Sequence, residues 1–206
     1  MKSHGHSFFI GRVFRSNGAV DSQGIQNIKN ARAGAYNFRI KSVADENFKD
    51  FEDFEDFVAG GIANVDGYIF PCLSSSCPSA SKQISEASTA LKNAGAKVGM
   101  LWLDIETYQW PSDHAKNRAF IEEMGKELTS LGYNWGVYSN YNNWQSIVGL
   151  DYTGMKGKQL WWATYNNEAN FNNFKAFGGW TKPNIHQYNG DVSGPCSFSI
   201  DTNWYP

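Results

Sequence analysis

Two acidic residues, Asp104 and Glu106, stand one residue apart at the end of an apolar run. Six of the eight residues before Glu106 are apolar, which predicts a strand buried on both faces of a parallel sheet. Because side chains alternate along a strand, both carboxyl groups are expected on the same face. Burial of two acids so close together raises the pKa of one of them. One protonated acid beside one ionised acid is the arrangement that glycoside hydrolysis uses.

The composition favours a carbohydrate site. Aromatic residues make up 16% of the 206 residues and charged residues 18%, and flat rings can cover sugar faces, although some of them must fill the core. The formal net charge of −2 gives no reason to expect nucleic acid or an anionic membrane as a partner. No run of about 18 apolar residues occurs, so we expect no transmembrane helix.

Strand-like and helix-like segments alternate along the chain, which predicts a parallel sheet with helices packed outside it. Seven strands are expected, whereas a closed parallel barrel normally has eight; the missing strand would be the first. The expected strands are 7–15, 66–71, 97–104, 134–139, 159–165, 185–188 and 199–204, and the expected helices are 25–33, 79–94, 113–131 and 142–148.

One acidic segment breaks this alternation. Residues 41–57 contain seven of the 20 acidic residues of the chain, and phenylalanine recurs at every third position from 48 to 57. A period of three suits neither a helix face nor a strand face. We therefore expect a disordered insertion at residues 34–60; an acidic binding segment is the alternative.

The cysteines and histidines suggest one disulfide and no metal site. Cys72 and Cys77 flank a short polar loop that a local disulfide could close, which leaves Cys196 without a partner. Three reduced thiols are the alternative. His4 and His6 form a pair with no third ligand in view, so no metal is expected.

Several short motifs, in this order, resemble the glycoside hydrolase family 25 lysozymes. They are Tyr68-Ile69-Phe70, Leu103-Asp104-Ile105-Glu106, Gly136-Val137-Tyr138-Ser139, the tract 160–165, Gln187-Tyr188, and Ile200-Asp201-Thr202-Asn203-Trp204. The tracts 65–72, 98–106 and 177–183 are especially similar to invertebrate, nematode-type members. The resemblance covers residues 7–33 and 61–206, and several motifs in one order are far more specific than a lone D-x-E.

The resemblance implies a TIM-like (β/α) barrel that hydrolyses the β-1,4 bond between N-acetylmuramic acid and N-acetylglucosamine in peptidoglycan. Glu106 would donate a proton to the leaving oxygen. Asp104 would hold the substrate acetamide or stabilise the developing positive charge, and Asp201 would be a further catalytic carboxylate. Attack by the substrate's own acetamide and direct attack by water are both open. The cleft would be lined by Tyr68, Tyr138, Trp161, Tyr165 and Tyr188.

The tract 160–165 contains two adjacent tryptophans, only one of which is expected in the cleft. Trp161 and Trp162 point to opposite faces of a strand, so at most one of them reaches the cleft. By position Trp161 is the one expected there, and Trp162 is expected in the core.

Two features depart from the family pattern. Family members open with an Asp-x-Ser strand whose aspartate belongs to the catalytic cluster, and this chain starts after it, so we expect the first strand to be missing. Residues 34–60 have no counterpart in the family. The alternative function is therefore that of a catalytically impaired member that only binds glycan, or of a non-functional variant.

The resemblance also sets expectations for organisation and location. We expect a single domain over residues 1–206, a monomer without cofactor or metal, with bacterial peptidoglycan as its partner. The biological role would be antibacterial defence in innate immunity, or digestion of bacteria. A secreted or lysosomal location follows from the family, although residues 1–6 contain no apolar core of a signal peptide.

Overall fold

A computed structural model describes residues 5–33, 61–194 and 199–206. The expected insertion at 34–60, His4 and Cys196 lie outside these ranges. The strands are β1 (Phe8–Phe14), β2 (Asn64–Ile69), β3 (Leu101–Asp104), β4 (Trp135–Ser139), β5 (Gln159–Ala163), β6 (Ile185–Ser193) and β7 (Ser199–Trp204). The helices are α1 (Ser22–Ala33), α2 (Ala80–Ala94), α3 (His114–Ser130) and α4 (Tyr141–Ile147).

The seven strands form one sheet in chain order from β1 to β7. The sheet curls into a half-barrel, and the ring of Phe8 in β1 lies 4.9 Å from that of Tyr205, just beyond β7. The neighbouring pairs from β1 to β6 are parallel, whereas β7 runs antiparallel to β6. The α/β barrel-like fold is confirmed, but a fully parallel sheet is wrong at this last pair. Only residues 194–198 separate β6 from β7, too few for a parallel crossover.

The ends of α2 follow from its sequence. The side chain of Ser79 accepts a hydrogen bond from the amide of Lys82, which caps the first turn. Gly95 ends the helix in a left-handed conformation (φ 63°) and its N–H donates to the carbonyl oxygens of Leu91 and Lys92. The helix therefore spans almost the residues that were expected, whereas β3 begins at Leu101, four residues later than expected.

The curl divides the apolar residues between two faces. The main core lies between the sheet and the helices outside it. A second group, which we call the inner cluster, lies on the concave face and consists of Trp102, Tyr138, Trp161 and Ala163, with Ile10, Tyr68, Met100 and Ile185 packed against it. Trp102 is fully buried. Aromatic side chains therefore fill the inside of the half-barrel beneath the carboxyl ends of its strands.

A disulfide joins Cys72 and Cys77, whose Cα atoms lie 5.7 Å apart. The loop that it closes follows β2 and precedes α2. In the described ranges, no helix is both long and apolar enough to cross a bilayer.

Candidate functional site

Asp104 is the last residue of β3 and is 5% exposed. Strand alternation places it on the concave face with Trp102, two residues earlier. Its Oδ1 atom is buried and has no hydrogen-bond partner among the described residues. Burial raises the pKa of Asp104 well above its usual range, the nearby Glu106 raises it further, and Arg12 opposes both effects. Asp104 is therefore an acid that holds its proton more tightly than a solvated aspartate.

Glu106 follows two residues later, where the chain has left the strand. It is partly exposed, unlike Asp104. Burial raises the pKa of Glu106, and the negative charge of Asp201 raises it further. The two acids thus form a coupled pair, of which the outer member can reach a bound molecule.

The backbone around Glu106 is fixed on both sides. The N–H of Ile105 donates to the carbonyl oxygen of Tyr138 at 2.9 Å, and the Ser139 hydroxyl donates to the Ile105 carbonyl oxygen at 2.8 Å. The indole N–H of Trp110 donates to the carbonyl oxygen of Glu106 at 3.0 Å. Because these bonds hold the loop, the backbone of Glu106 is fixed before any substrate arrives.

Gln187 of β6 connects Asp201 of β7 to two tyrosines. Its Nε2 donates to Oδ2 of Asp201 at 3.2 Å, and its Oε1 accepts from the hydroxyls of Tyr138 (2.7 Å) and Tyr165 (3.0 Å). The amide of Asp191 donates to the other Asp201 oxygen at 3.0 Å. Gln187 is 4% exposed. It belonged to one of the sequence motifs, but no role was predicted for it.

Three of the predicted aromatic residues lie together. The ring of Tyr138 is 4.7 Å from that of Trp161, and the ring of Tyr68 is 6.2 Å from it. Burial raises the pKa of Tyr68 to about 12, and Asp104 and Asp201 raise it while Arg12 lowers it. The same two carboxyl groups that flank Glu106 therefore also act on this tyrosine.

A cavity of about 280 Å³ opens at the carboxyl ends of the central strands. Glu106, Tyr138 and Tyr165 line it, together with residues of the loops that follow β4 and β5. Tyr165 is 60% exposed and stands at the surface. Trp161 is 5% exposed and its indole N–H donates to Oδ1 of Asn203 at 2.8 Å, so it supports the cavity from below instead of lining it.

A larger cavity of about 460 Å³ lies at the opposite ends of β3, β4 and β5. Its lining includes Met100, Tyr133 and Lys158 but no acidic residue. In parallel α/β sheets, ligands bind at the carboxyl ends of the strands. The smaller cavity beside Glu106 is therefore the candidate active site.

Tyr188, a predicted cleft residue, does not line the cavity beside Glu106. Its ring lies 6.2 Å from that of His186, which is fully buried and stacks on Trp162 at 4.0 Å. Trp162 packs in the main core and also contributes to the cavity lining. Because neighbours on a strand face opposite ways, Gln187 takes the inner position and Tyr188 the outer one.

The described part of the chain contains no group of three or more His, Cys, Asp or Glu side chains that could hold a metal ion. The ionisable side chains at the centre of the site are the carboxyl groups of Asp104, Glu106 and Asp201. A coupled acid pair, a third carboxylate held by Gln187, and a tyrosine-lined cavity can together donate a proton and stabilise positive charge on a sugar.

The chain is similar to several known proteins. The family model described as Lysozyme-like protein 1 matches residues 51–188. The chain is similar to Lysozyme-like protein 5 of Caenorhabditis elegans, with 46% identity over 100% of this chain and 84% of that protein. It is also similar to Probable GH family 25 lysozyme 2 of Dictyostelium discoideum, with 34% identity over 100% of this chain and 83% of that protein.

Among solved structures, the bacterial lysozyme from Streptomyces coelicolor matches with a TM-score of 0.67 and 18% identity, over 99% of this chain and 83% of that one. The muramidase from Acremonium alcalophilum matches with a TM-score of 0.64 and 15% identity, over 100% of this chain and 85% of that one. These similarities show a shared fold. Together with the family match and the two sequence relatives, they show that this chain belongs to the lysozyme-like family of the glycoside hydrolase family 25 type.

Proposed function

We propose that this protein hydrolyses the β-1,4 bond between N-acetylmuramic acid and N-acetylglucosamine in bacterial peptidoglycan. One observation carries the proposal: Glu106, a carboxyl group with a raised pKa, lines a cavity at the end of a buried strand beside a second acid. Membership of the family supports the choice of substrate.

The reactive form holds one proton on the acid pair, and that proton resides on Glu106. Asp201 raises the pKa of Glu106 and so favours its protonated form. Burial raises the pKa of Asp104 well above its usual range, and Arg12 opposes that rise. The proposed reaction requires the proton on Glu106, which lines the cavity, and an ionised Asp104, the division of labour that glycosidases use.

Bond cleavage then uses both members of the pair. Glu106 transfers its proton to the glycosidic oxygen as the bond from that oxygen to the anomeric carbon breaks, and Glu106 becomes a carboxylate. The ionised Asp104 stabilises the positive charge that develops on the sugar. Asp201, held in place by Gln187, contributes negative charge from the other side. Water then forms a bond to the anomeric carbon, directly or after attack by the substrate's acetamide group, and the proton that the water loses passes to a carboxylate of the acid pair.

The proposed activity predicts one kind of product. Purified protein is incubated with peptidoglycan, the new reducing ends are reduced with borohydride, and the fragments are identified by mass spectrometry. We expect reducing ends on N-acetylmuramic acid, together with falling turbidity of the cell-wall suspension. Ends on N-acetylglucosamine would contradict the proposed bond. Sedimentation of the protein with cell walls, without any product, would support the alternative of a member that only binds glycan.

Family membership also supports the biological setting that we propose. It comprises antibacterial defence or digestion of bacteria, a secreted or lysosomal location, and a monomeric single domain over residues 1–206. The catalytic residues proposed are Glu106, Asp104 and Asp201, and the substrate contacts proposed are Tyr68, Tyr138 and Tyr165, above the supporting Trp161.

A further inference from the structure

One wall of the cavity beside Glu106 takes no part in the bond cleavage proposed for Glu106, Asp104 and Asp201. It is formed by residues of the loops after β4 and β5, and it includes Asn140, Tyr141, Asn143 and Lys175. We call these four residues the amide wall. It is rich in hydrogen-bond donors, whereas the concave face below it is aromatic and acidic.

The two asparagines of the amide wall are oriented by the protein. The Oδ1 atom of Asn143 accepts from the amide (3.2 Å) and the hydroxyl (2.9 Å) of Thr107, the residue after Glu106. The Oδ1 atom of Asn140 accepts from the amide of Asn143 at 2.8 Å. Neither asparagine NH₂ group donates to another residue in the described ranges. Both acceptor positions of the Asn143 oxygen and one of the Asn140 oxygen are occupied, so the side chains present mainly their NH₂ donors to a ligand.

Lys175 adds a positive charge to this wall. Its ammonium group lies 3.6 Å from the centre of the Tyr141 ring, a cation–π contact that fixes it beside the cavity. Within the described residues it forms no ion pair with a carboxylate. The other charged residue of the cavity lining is Glu106, which is neutral in the reactive form. Lys175 is therefore the one charged side chain among the described residues of the cavity lining when the enzyme is ready to react, and it faces the negative charges of Asp104 and Asp201 across Glu106.

We propose that the amide wall binds a carboxylate carried by the sugar beside Glu106, so that Lys175 makes the enzyme prefer anionic glycan strands. Two amide donors and one cation match the acceptors and the charge of a carboxylate. In peptidoglycan that carboxylate belongs either to the lactyl group of an unsubstituted muramic acid or to its stem peptide. The inference rests on the proposed function, because it names the substituent that this site reads.

Three substrates separate the two sources of the carboxylate. The first is glycan strands with intact stem peptides. The second is the same strands after amidase treatment, which leaves free lactyl carboxylates. The third is the amidase-treated strands after coupling of those carboxylates to methylamine, which makes them neutral without changing the sugar backbone.

The variants are Lys175→Met, which removes the charge, and Lys175→Arg, which keeps it. Lys182→Met is the matched control, because Lys182 also lies over an aromatic ring, 5.7 Å from the centre of Phe171, but does not line the cavity. We expect Lys175→Met to lower kcat/KM about two- to fivefold on carboxylate-bearing strands, the range for one partly exposed charge pair. The neutral strands should be cleaved at the wild-type rate, and Lys175→Arg should restore most of the loss.

Each outcome decides a point. A loss on intact strands alone assigns the stem peptide, a loss on amidase-treated strands alone assigns the lactyl group, and a loss on both shows that the amide wall accepts either carboxylate. An equal loss on neutral strands, or the same loss in Lys182→Met, overturns the inference while the hydrolase activity stands. If the wild-type protein cleaves none of the strands, the proposed function fails instead. The dissociation constants of the same strands, measured by sedimentation, then test the preference. Binding of carboxylate-bearing strands that is about two- to fivefold weaker for Lys175→Met than for the wild type supports it, and equal affinities overturn it.

Discussion

Replacement of Glu106 by glutamine is expected to lower kcat for peptidoglycan hydrolysis by about two to four orders of magnitude, the usual contribution of a general acid. Glutamine has the same shape but no proton to donate at this position. Within the described residues, the carboxyl oxygens of Glu106 make no hydrogen bond. The indole N–H of Trp110 donates to the backbone carbonyl oxygen of Glu106 instead. The folded structure should therefore be unaffected.

Rates of release of reducing ends and thermal unfolding of Glu106→Gln measure the two parts of this prediction. Glu168→Gln is the control, because Glu168 is an exposed acid outside the cavity lining; it should keep wild-type activity. An active Glu106→Gln variant would exclude Glu106 as the proton donor. A large fall in Tm would show that the variant lost its fold and not only its acid.

Replacement of Asp104 by asparagine is expected to reduce kcat about a hundred- to a thousandfold, in the range seen when one electrostatic contact to a transition state is removed. The same change is expected to stabilise the fold at neutral pH. The wild-type carboxylate must ionise at a site that is 5% exposed, with one oxygen unpartnered. Asparagine removes that charge, so function and stability should change in opposite directions.

The sign of the pH dependence follows from the raised pKa of Asp104. A carboxyl group whose pKa is higher in the folded state binds its proton more tightly there. Its contribution to stability is therefore fully present below the unfolded pKa, about 4, and is lost as the pH rises through the folded pKa. The raised pKa of Glu106 makes the stability depend on pH in the same direction. Urea unfolding between about pH 4 and pH 8 should show a steeper loss of stability for the wild type than for Asp104→Asn.

Asp151→Asn provides the control of opposite sign. Arg118 lowers the pKa of Asp151 by a hydrogen bond, and burial opposes this slightly. The pair therefore stabilises the fold above the unfolded pKa of Asp151, and this stabilisation is lost as the pH falls. Asp151 lies outside the cavity, and its replacement should leave kcat unchanged. If Asp104→Asn were both inactive and less stable than the wild type, Asp104 would be holding the fold together instead of serving catalysis.

The central strand and its acid pair could be predicted because local rules determine them. The apolar run before Asp104 needs burial on both faces, and alternation places Asp104 and Glu106 on the same side. The parallel pairing from β1 to β6 followed from the alternation of strands and helices. The caps of α2 were also readable, since Ser79 and Gly95 suit the beginning and the end of a helix.

The direction of β7 and the role of Gln187 depended on features beyond local pattern. The strand was expected to stop at Tyr188, whereas in the structure β6 continues to Ser193 through irregular pairing. Gln187 meets Asp201 because β7 pairs with β6, and the hydroxyl of Tyr138 reaches it from β4, two strands away. The alternation rule that separated Trp161 from Trp162 would also have separated Gln187 from Tyr188.

The amide wall could not be anticipated either. Lys175 lies in the long connection between β5 and β6, and Asn140 and Asn143 lie at the start of α4. Nothing in the sequence links residues so far apart along the chain. Their meeting beside Glu106 depends on the packing of loops at one end of the sheet, which no periodic pattern encodes.

The most direct test of the account is the titration of the Glu106 carboxyl group itself. Its ¹³C signal in glutamate-labelled protein is assigned by its disappearance in Glu106→Gln and followed by NMR as a function of pH. We predict that it titrates above the ordinary value of 4.5, and that Asp201→Asn moves the titration to lower pH because a neighbouring negative charge is removed. A Glu106 that titrates at or below 4.5 and ignores Asp201 would contradict the claim that this acid keeps its proton for the glycosidic oxygen.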